Sequence, residues 1–305
     1  MKKVFNSTNA FILLTLLLSA CAAPAPQTNT GGLYVLATTT FLADIARNVA
    51  GDQAQVESLL PVGADPHAYQ AAPSDVARIA KSTVLIQNGI EYEHFLEPLL
   101  ENAGGQRLII TATDGLTPNQ MDSKETPGQK AGDPHLWLDP VLVVTYVENI
   151  RDGLIQADPA GAETYKANAD AYIAQLKDLD AWIRTQVETV PAERRLLVTN
   201  HEALGYFAQE YGFTVVGSIL PSLSSEASAS AQEIAASVDA IKASGAPVIF
   251  LGDVENAKLA EQIASETGVQ VVNDLHLESL TDGAPAATYI EMMKYNATRI
   301  VEALK

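Results

Sequence analysis

Residues 162–188 read AETYKANADAYIAQLKDLDAWIRTQVE, a stretch without proline or glycine that follows Pro159 and Gly161. Its apolar residues recur at steps of three and four, the spacing of one face of an α-helix, and they are Tyr165, Ala169, Tyr172, Leu176, Leu179, Ile183 and Val187. A helix of about 25 residues is about 38 Å long, which is enough to cross a whole domain. The stretch therefore predicts one long helix in the middle of the chain.

Strand-like and helix-like segments alternate on both sides of this helix. On the N-terminal side, strands are predicted at 33–37, 56–60, 83–87 and 107–111, with helices at 41–50, 73–81 and 91–102 between them. On the C-terminal side, strands are predicted at 195–198, 213–217, 247–251 and 269–272, with helices at 202–211, 224–244, 257–267 and 289–304. Strands joined through helices favour parallel sheets. We therefore expect an α/β fold of two similar parallel-sheet lobes, residues 33–160 and 190–305, bridged by one long rigid helix over 161–189.

The first 32 residues are predicted to lie outside this fold. Two lysines precede an apolar stretch over residues 10–18, which leads through Leu-Ser-Ala to Cys21, the only cysteine. This order is typical of an export signal and is too short for a membrane-spanning helix. Leu-Ser-Ala-Cys also resembles a bacterial lipobox, so we expect a signal peptide over 1–20, lipid attachment to Cys21 and a flexible tether over 21–32. The alternative is a plain secretory signal with a chance cysteine.

The composition restricts the partners of the chain. Its 305 residues are 47% apolar and carry a net charge of −18, which becomes −20 when the first twenty residues, with two lysines and no acid, are removed. A strongly acidic protein binds nucleic acid and bare anionic membranes poorly. We therefore expect no nucleic-acid partner, while a cationic ligand is compatible with this charge. The single cysteine excludes an intramolecular disulfide.

Four side chains are candidate metal ligands. The tripeptide Asp-Pro-His occurs twice, ending at His67 and His135, in a chain with only five histidines. His201 comes three residues after the apolar run 196–198, and Asp274 comes two residues after another such run. Ligands in open α/β sheets gather at the carboxyl ends of strands. Imidazole with one carboxylate suits zinc and other late transition metals, so the sequence predicts a metal site that His67, His135, His201 and Asp274 form from distant parts of the chain.

Other residues compete for these roles. His276 lies two residues after Asp274 and would share its face in an extended segment, but we interpret it as a loop histidine near the cleft. His94 lies among glutamates in a predicted helix and is interpreted as part of a solvated face. Asp-Pro can also cap a helix, and that structural role suits Asp139-Pro140, which precedes an apolar run.

The predicted ligand set argues against catalysis. Four protein ligands close a tetrahedral shell and leave no position for an activated water, so we expect neither enzyme activity nor a catalytic cofactor. An exported zinc hydrolase is the alternative, with Glu202 as general base if Asp274 were not a ligand. The chain contains no His-Glu-x-x-His and no Gly-x-Ser-x-Gly sequence to support it.

Several segments resemble one known family. They are PVGADPHAY at 61–69, DPHLWLDP at 133–140, VTNHEA at 198–203 and VND at 272–274, with weaker similarity in QNG at 87–89 and MMKYN at 292–296. In order and separation they resemble the metal-binding receptors of ABC transporters, the extracytoplasmic solute-binding lipoproteins for zinc and manganese. The resemblance covers nearly the whole chain after the signal.

The resemblance implies two α/β lobes, a bridging helix and a metal that is bound in the cleft between the lobes by His67, His135, His201 and Asp274. Manganese-selective relatives commonly have glutamate where this chain has His201, so the resemblance favours zinc(II) as the bound ligand. Many zinc receptors carry a histidine-rich loop before the second Asp-Pro-His, but the polar segment 113–132 contains no histidine. Manganese(II), or mixed manganese, iron and zinc binding, is the alternative within the family.

The expected function is metal capture and delivery. The resemblance implies a monomeric lipoprotein of the bacterial cell membrane that faces the extracytoplasmic side, held by its lipid alone, and that passes a divalent metal to an ABC permease. The long helix should limit hinge motion, so we expect metal release to depend on the movement of two loops. One is the segment 113–132, which we interpret as a flap over the site, and the other is the segment after Asp274. Protons should compete with the metal as pH falls through the histidine range near 6.5. A metal-stabilised surface adhesin is a further alternative.

Overall fold

A computed structural model describes residues 32–122 and 129–305. The predicted signal peptide, the lipidated Cys21 and all but the last residue of the predicted tether lie outside the described residues. None of the helices in the described ranges combines the length and the apolar character needed to cross a membrane. Residues Gly32–Lys305 form one compact unit.

The first half of this unit is built on a four-stranded parallel sheet. Its strands are β1 (Leu33–Ala37), β2 (Ala54–Ser58), β3 (Val84–Gln87) and β4 (Leu108–Thr111), and its helices are α1 (Thr40–Ala50), α2 (Pro73–Lys81), α3 (Leu96–Ala103) and α4 (Pro140–Ala157). The strand order is β2-β1-β3-β4. Between β4 and α4, an antiparallel hairpin forms from β5 (Gln120–Asp122) and β6 (Lys130–Gly132), where the sequence predicted only a loop.

The second half repeats the same sheet order. After α5 (Ala162–Val187) come the strands β7 (Leu196–Thr199), β8 (Thr214–Ser218), β9 (Val248–Gly252) and β10 (Gln270–Leu275), and the helices α6 (Gly205–Tyr211), α7 (Ala231–Ser244), α8 (Lys258–Thr267) and α9 (Tyr289–Leu304). These strands are parallel and ordered β8-β7-β9-β10. In each sheet the order reverses between the first and third strands, where open α/β folds bind ligands beyond the carboxyl ends. The prediction of two similar parallel-sheet lobes is confirmed.

The long helix α5 packs against both halves. All seven apolar residues of the predicted stripe are buried along it, from Tyr165 to Val187. The helix contacts α1 and α4 of the first half and α6 and α9 of the second half. Its apolar stripe belongs to one hydrophobic cluster that includes Trp137 and Phe250, so the two sheets are joined through a common core. The predicted bridging helix is confirmed, since burial on both halves fixes it in place.

Helices α3 and α7 begin at least five residues later than predicted. Helix α3 starts at Leu96 rather than at residue 91, because Ile90 and Glu91 have positive φ angles of 55° and 56° that interrupt the helical path. Helix α7 starts at Ala231 rather than at residue 224. Ser230 is its N-cap and accepts a hydrogen bond from the Glu233 amide, so the preceding serine-rich segment stays outside the helix.

The structural interpretation of Asp139-Pro140 is confirmed. The Asp139 carboxylate accepts a hydrogen bond of 2.8 Å from the Val141 amide, and Pro140 occupies the first position of α4. Strand β10 differs from the prediction at its end, since it continues to Leu275 rather than stopping at residue 272. This extension places Asp274 inside a strand, which matters for the site below.

Candidate metal centre

Four side chains from both halves of the chain converge on one point. They are His67, His135, His201 and Glu278, and one ligand atom of each lies within 4.8 Å of all the others. His67 lies in the loop after β2, His135 between β6 and α4, His201 after β7 and Glu278 after β10. The first two belong to the half with the first sheet and the last two to the half with the second. The structure therefore brings together the three predicted histidines with a carboxylate that the sequence analysis did not select.

The ligand atoms are close enough to share one ion. The Oε1 atom of Glu278 lies 3.4 Å from Nε2 of His201, 3.5 Å from Nε2 of His135 and 3.9 Å from Nε2 of His67. The Nε2 atoms of His135 and His201 are 3.3 Å apart. Nε2 of His67 and Oε1 of Glu278 are buried and have no hydrogen-bond partner. A buried polar atom without a partner costs about 1–3 kcal/mol, and a cation bound among these atoms would satisfy both.

Carboxylates outside the group orient two of the histidine rings. Nδ1 of His135 lies 2.8 Å from Oδ1 of Asp133, and Nδ1 of His201 lies 2.7 Å from Oε1 of Glu255. For His135, the hydrogen bond with Asp133 places a proton on Nδ1 and leaves Nε2 to bind a metal, as in many histidine metal sites. Glu255 follows β9 and His201 follows β7, so this pair flanks the reversal point of the second sheet.

The two Asp-Pro-His motifs share one local geometry. The Asp65 carboxylate accepts a hydrogen bond of 2.9 Å from the His67 amide, and the Asp133 carboxylate accepts one of 3.0 Å from the His135 amide. Asp side chains commonly form such turns with the amide two residues on. The Asp65 carboxylate also accepts a bond of 2.6 Å from the Ser225 hydroxyl, which comes from the other half of the chain. The motif thus sets the backbone that presents each histidine.

Burial and charge set the protonation of the group. Burial lowers the pKa of His67 to about 3. Burial opposes a charge on His201 too, but its contacts with Glu255 and Glu278 outweigh this and raise the pKa of His201 to about 10. The carboxylates beside His135 outweigh burial in the same way and raise its pKa. Although burial opposes it, the histidines hold the pKa of Glu278 well below its usual range. The group is an ionised carboxylate among histidines, and a divalent cation would replace protons there.

A tyrosine completes the surroundings of the carboxylate. The Tyr92 hydroxyl donates a hydrogen bond of 2.5 Å to Oε2 of Glu278. Tyr92 is 1% exposed, and burial raises the pKa of its hydroxyl well above the usual range, so it stays a neutral donor. Its ring contacts Trp137 at a centroid distance of 4.8 Å.

The prediction that Asp274 belongs to this group is wrong. Asp274 lies within β10, where its two carboxylate oxygens contact the Arg299 guanidinium at 3.1 and 3.0 Å. The Tyr295 hydroxyl donates a further bond of 2.9 Å to it. The sequence analysis predicted that this strand ends at residue 272, whereas β10 continues to Leu275. The carboxylate that joins the group, that of Glu278, lies beyond this end. The alternation of polar and apolar residues from Asp274 to Glu278, with Leu275 and Leu277 buried, was the available signal for a longer extended segment.

Three residues that the sequence analysis considered as alternatives, His276, His94 and Glu202, lie outside the group. For His276 and His94 this agrees with the preferred interpretation. His276 contacts Asp253 through Nδ1 at 2.8 Å, and its amide donates to Asn296. His94 is exposed. Glu202, the general base of the hydrolase alternative, is not among the four grouped side chains. The carboxylate that is grouped with all three histidines is that of Glu278.

Comparisons with known proteins identify metal-binding proteins that are similar to this chain. A family model described as zinc-uptake complex component A, periplasmic, matches residues 35–303. The chain is 34% identical over 309 residues to the manganese-binding lipoprotein MntA of Halalkalibacterium halodurans, covering 100% of this chain and 99% of the relative. It is 35% identical over 286 residues to the iron-binding protein YfeA of Yersinia pestis, covering 93% of this chain and 90% of that protein.

A solved structure shares the fold. The periplasmic zinc-binding protein TroA from Treponema pallidum matches with a TM-score of 0.82 and 29% identity, covering 90% of this chain and 99% of the other. The names of these similar proteins span manganese, iron and zinc.

Proposed function

The chain belongs to the zinc-uptake complex component A family of metal-binding proteins, and from this membership we propose that it is an extracytoplasmic receptor that captures a divalent transition metal and delivers it to an ABC permease. The observation that supports capture is the convergence of three histidines and Glu278, with two buried ligand atoms that lack hydrogen-bond partners. In this proposal Cys21 carries a lipid that holds a monomeric receptor at the membrane. The metal is cargo rather than a catalytic cofactor, so the protein is not an enzyme.

Zinc is the proposed cargo. Three imidazole nitrogens and one carboxylate oxygen form a four-atom set, which suits the tetrahedral coordination of zinc. Nitrogen-rich sites bind zinc more tightly than manganese at equilibrium, whereas manganese favours oxygen ligands and higher coordination. The names of the relatives do not choose among the metals. The proposal of zinc therefore rests on the donor set.

Competitive metal titration tests this proposal. We expect the metal-free chain from Ala22 onward, which contains the whole compact unit, to bind one zinc ion per molecule. Since zinc exceeds manganese in affinity for nitrogen donors, excess manganese should fail to displace it. Isothermal titration calorimetry with each metal, followed by displacement of bound manganese by zinc, shows directly which metal binds more tightly.

The outcomes distinguish an error in the identity of the metal from an error in the receptor function. Comparable or tighter manganese binding would reassign the cargo to manganese or to mixed metals. If neither metal binds stoichiometrically, the receptor function itself is wrong.

Acidification is expected to weaken zinc binding. The raised pKa of His201 means that this histidine is protonated in the metal-free protein below about pH 10, so the metal must displace its proton. Binding should tighten by about tenfold per pH unit for each displaced proton as pH rises through neutrality. His67, whose pKa is lowered, should contribute no proton.

Calorimetry in two buffers with different ionisation enthalpies would count the released protons. Equal affinities at about pH 6 and about pH 8, with no proton release, would contradict the protonation assigned to His201.

A further inference from the structure

The two oxygens of the Glu278 carboxylate have different surroundings. Oε1 lies within 3.9 Å of the three histidine Nε2 atoms and has no hydrogen-bond partner. Oε2 accepts the hydrogen bond of 2.5 Å from the Tyr92 hydroxyl. A short bond from a neutral phenol occupies one of the two lone pairs of Oε2, fixes the orientation of the carboxylate and weakens Oε2 as a metal ligand. One oxygen is therefore available to the metal and the other is engaged.

We propose that Tyr92 restricts Glu278 to a single metal-binding oxygen and thereby makes the site select a four-coordinate metal. With one oxygen from Glu278 and one nitrogen from each histidine, four ligand atoms are available, the number that zinc takes in a closed tetrahedral site. A carboxylate that used both oxygens would supply a fifth, oxygen ligand and would favour manganese. This inference rests on the proposed metal-binding function and assigns Tyr92 as the residue that sets its specificity.

The packing around Tyr92 leaves its hydroxyl little freedom. The residue is 1% exposed, and its ring lies against Trp137 and edge-on to His67 at centroid distances of 4.8 and 5.4 Å. A ring confined on both sides cannot turn its hydroxyl away from Glu278 without displacing a neighbour. Tyr92 comes from the segment between β3 and α3, whereas Glu278 follows β10, so the bond connects the two halves of the chain.

A constrained turn delivers Tyr92 to this position. Ile90 and Glu91 adopt positive φ angles of 55° and 56°, which are unfavourable for residues with side chains and are kept only where the surroundings enforce them. The carboxylate of Glu93 enforces them, since it accepts hydrogen bonds from the amides of Asn88 and Gly89 at 2.6 and 3.1 Å. The same carboxylate accepts a bond of 2.8 Å from the hydroxyl of a threonine directly after β1.

The turn is also tied to the second Asp-Pro-His motif. The Asn88 side-chain amide donates a bond of 3.0 Å to the Pro134 carbonyl, and the Tyr146 hydroxyl donates one of 2.6 Å to the Asn88 side-chain oxygen. Gly89 has a φ of 94°, and a Cβ atom there would lie 2.5 Å from a side-chain carbon of Thr111. Glycine is therefore required at this point of the turn. These contacts fix the placement of Tyr92 relative to the histidine that follows Pro134.

The test compares Tyr92→Phe with the unaltered chain. Phenylalanine keeps the ring and its packing but removes the hydroxyl, so Oε2 of Glu278 becomes available to the metal. We expect the ratio of the manganese to the zinc dissociation constant to fall by roughly tenfold or more. Cobalt(II) serves as a spectroscopic probe, because its visible bands are intense in tetrahedral sites and weaken at higher coordination. These bands should lose intensity in the variant.

Tyr165→Phe is the matched control. Tyr165 is also buried and also donates to a carboxylate, that of Asp158 at 2.8 Å, but it lies on α5 outside the metal group. The control should leave both the metal ratio and the cobalt spectrum unchanged. A folded Tyr92→Phe variant that behaves like the control would overturn the inference.

X-ray absorption of the unaltered zinc-loaded chain provides a second test that does not depend on the variant folding. Four nearest ligand atoms are expected, and five or more would overturn the role of Tyr92 while leaving the receptor function intact. A chain that binds neither zinc nor manganese would overturn both.

Discussion

Replacing Glu278 with glutamine is expected to weaken zinc binding by more than about 100-fold, beyond the usual effect of altering a residue that only supports a ligand. Glutamine keeps the size of the side chain and an oxygen that can accept from Tyr92, but it removes the negative charge. Oε1 of Glu278 is the atom that lies within 3.9 Å of all three histidine Nε2 atoms, so its charge is the main compensation for a divalent ion there. Competition against a chelator of known zinc affinity measures the loss.

Asp274→Asn is the matched control for this experiment. It removes the same charge at the carboxylate that the sequence analysis had chosen, four residues earlier in the chain. The ion pair of Asp274 with Arg299 is partly exposed, so its loss should change stability by less than about 1 kcal/mol and leave zinc affinity unchanged. If Asp274→Asn lost zinc and Glu278→Gln kept it, the assignment of the carboxylate would be reversed.

Replacing His201 with alanine is expected to have a similarly large effect on zinc affinity, again more than about 100-fold. The substitution removes a ligand nitrogen that lies 3.3 Å from Nε2 of His135, and it leaves the Glu255 carboxylate without the imidazole at 2.7 Å. The remaining set would be two imidazoles and one carboxylate, too few to close a tetrahedral shell with protein atoms alone. Zinc calorimetry on the folded variant measures the change.

His94→Ala provides the reference for this second experiment. His94 is exposed and lies outside the metal group, so the same change of residue type should leave zinc binding intact. Circular dichroism of the metal-free proteins would show whether each variant is folded before metal is added. Retention of tight zinc binding by a folded His201→Ala variant would contradict the role of this histidine.

Two hydrogen bonds beside the four grouped side chains connect the two halves of the chain. Beside the metal group, the Ser225 hydroxyl bonds to Asp65, and the Gly63 amide donates a bond of 2.9 Å to the Ser279 hydroxyl. Each bond joins a loop after β2 to a loop of the second half. Because α5 is buried against helices of both halves, movement of these loops requires less disruption than movement of the lobes. Release through loop movement, first expected from the sequence, remains a prediction.

Local patterns were sufficient for much of this protein. The spacing of the apolar residues in 162–188 predicted the helix and its buried face, since a helical stripe is a property of one segment. The repeated Asp-Pro-His tripeptide identified His67 and His135, because the turn that presents each histidine forms within three residues. His201 followed from its position after a strand and from the family resemblance. The serine-rich segment before Ser230 and the turn at Ile90 were misassigned, because hydrogen bonds to individual side chains decide where those helices begin.

The carboxylate of the site and its partner were decided by the tertiary structure alone. Asp274 and Glu278 are both acidic and close in sequence, but pairing of Leu275 with Gly252 extends β10 past Asp274 and leaves Glu278 beyond the strand end. Tyr92 meets Glu278 across 186 positions of sequence. The sequence by itself determined the two lobes and the bridging helix, because these follow from periodicity. It also selected the three histidines, from the two Asp-Pro-His turns, the position of His201 after a strand and the family resemblance. Only the tertiary structure decided which carboxylate joins them and how it is held, because that depends on strand pairing and on contacts between the two halves.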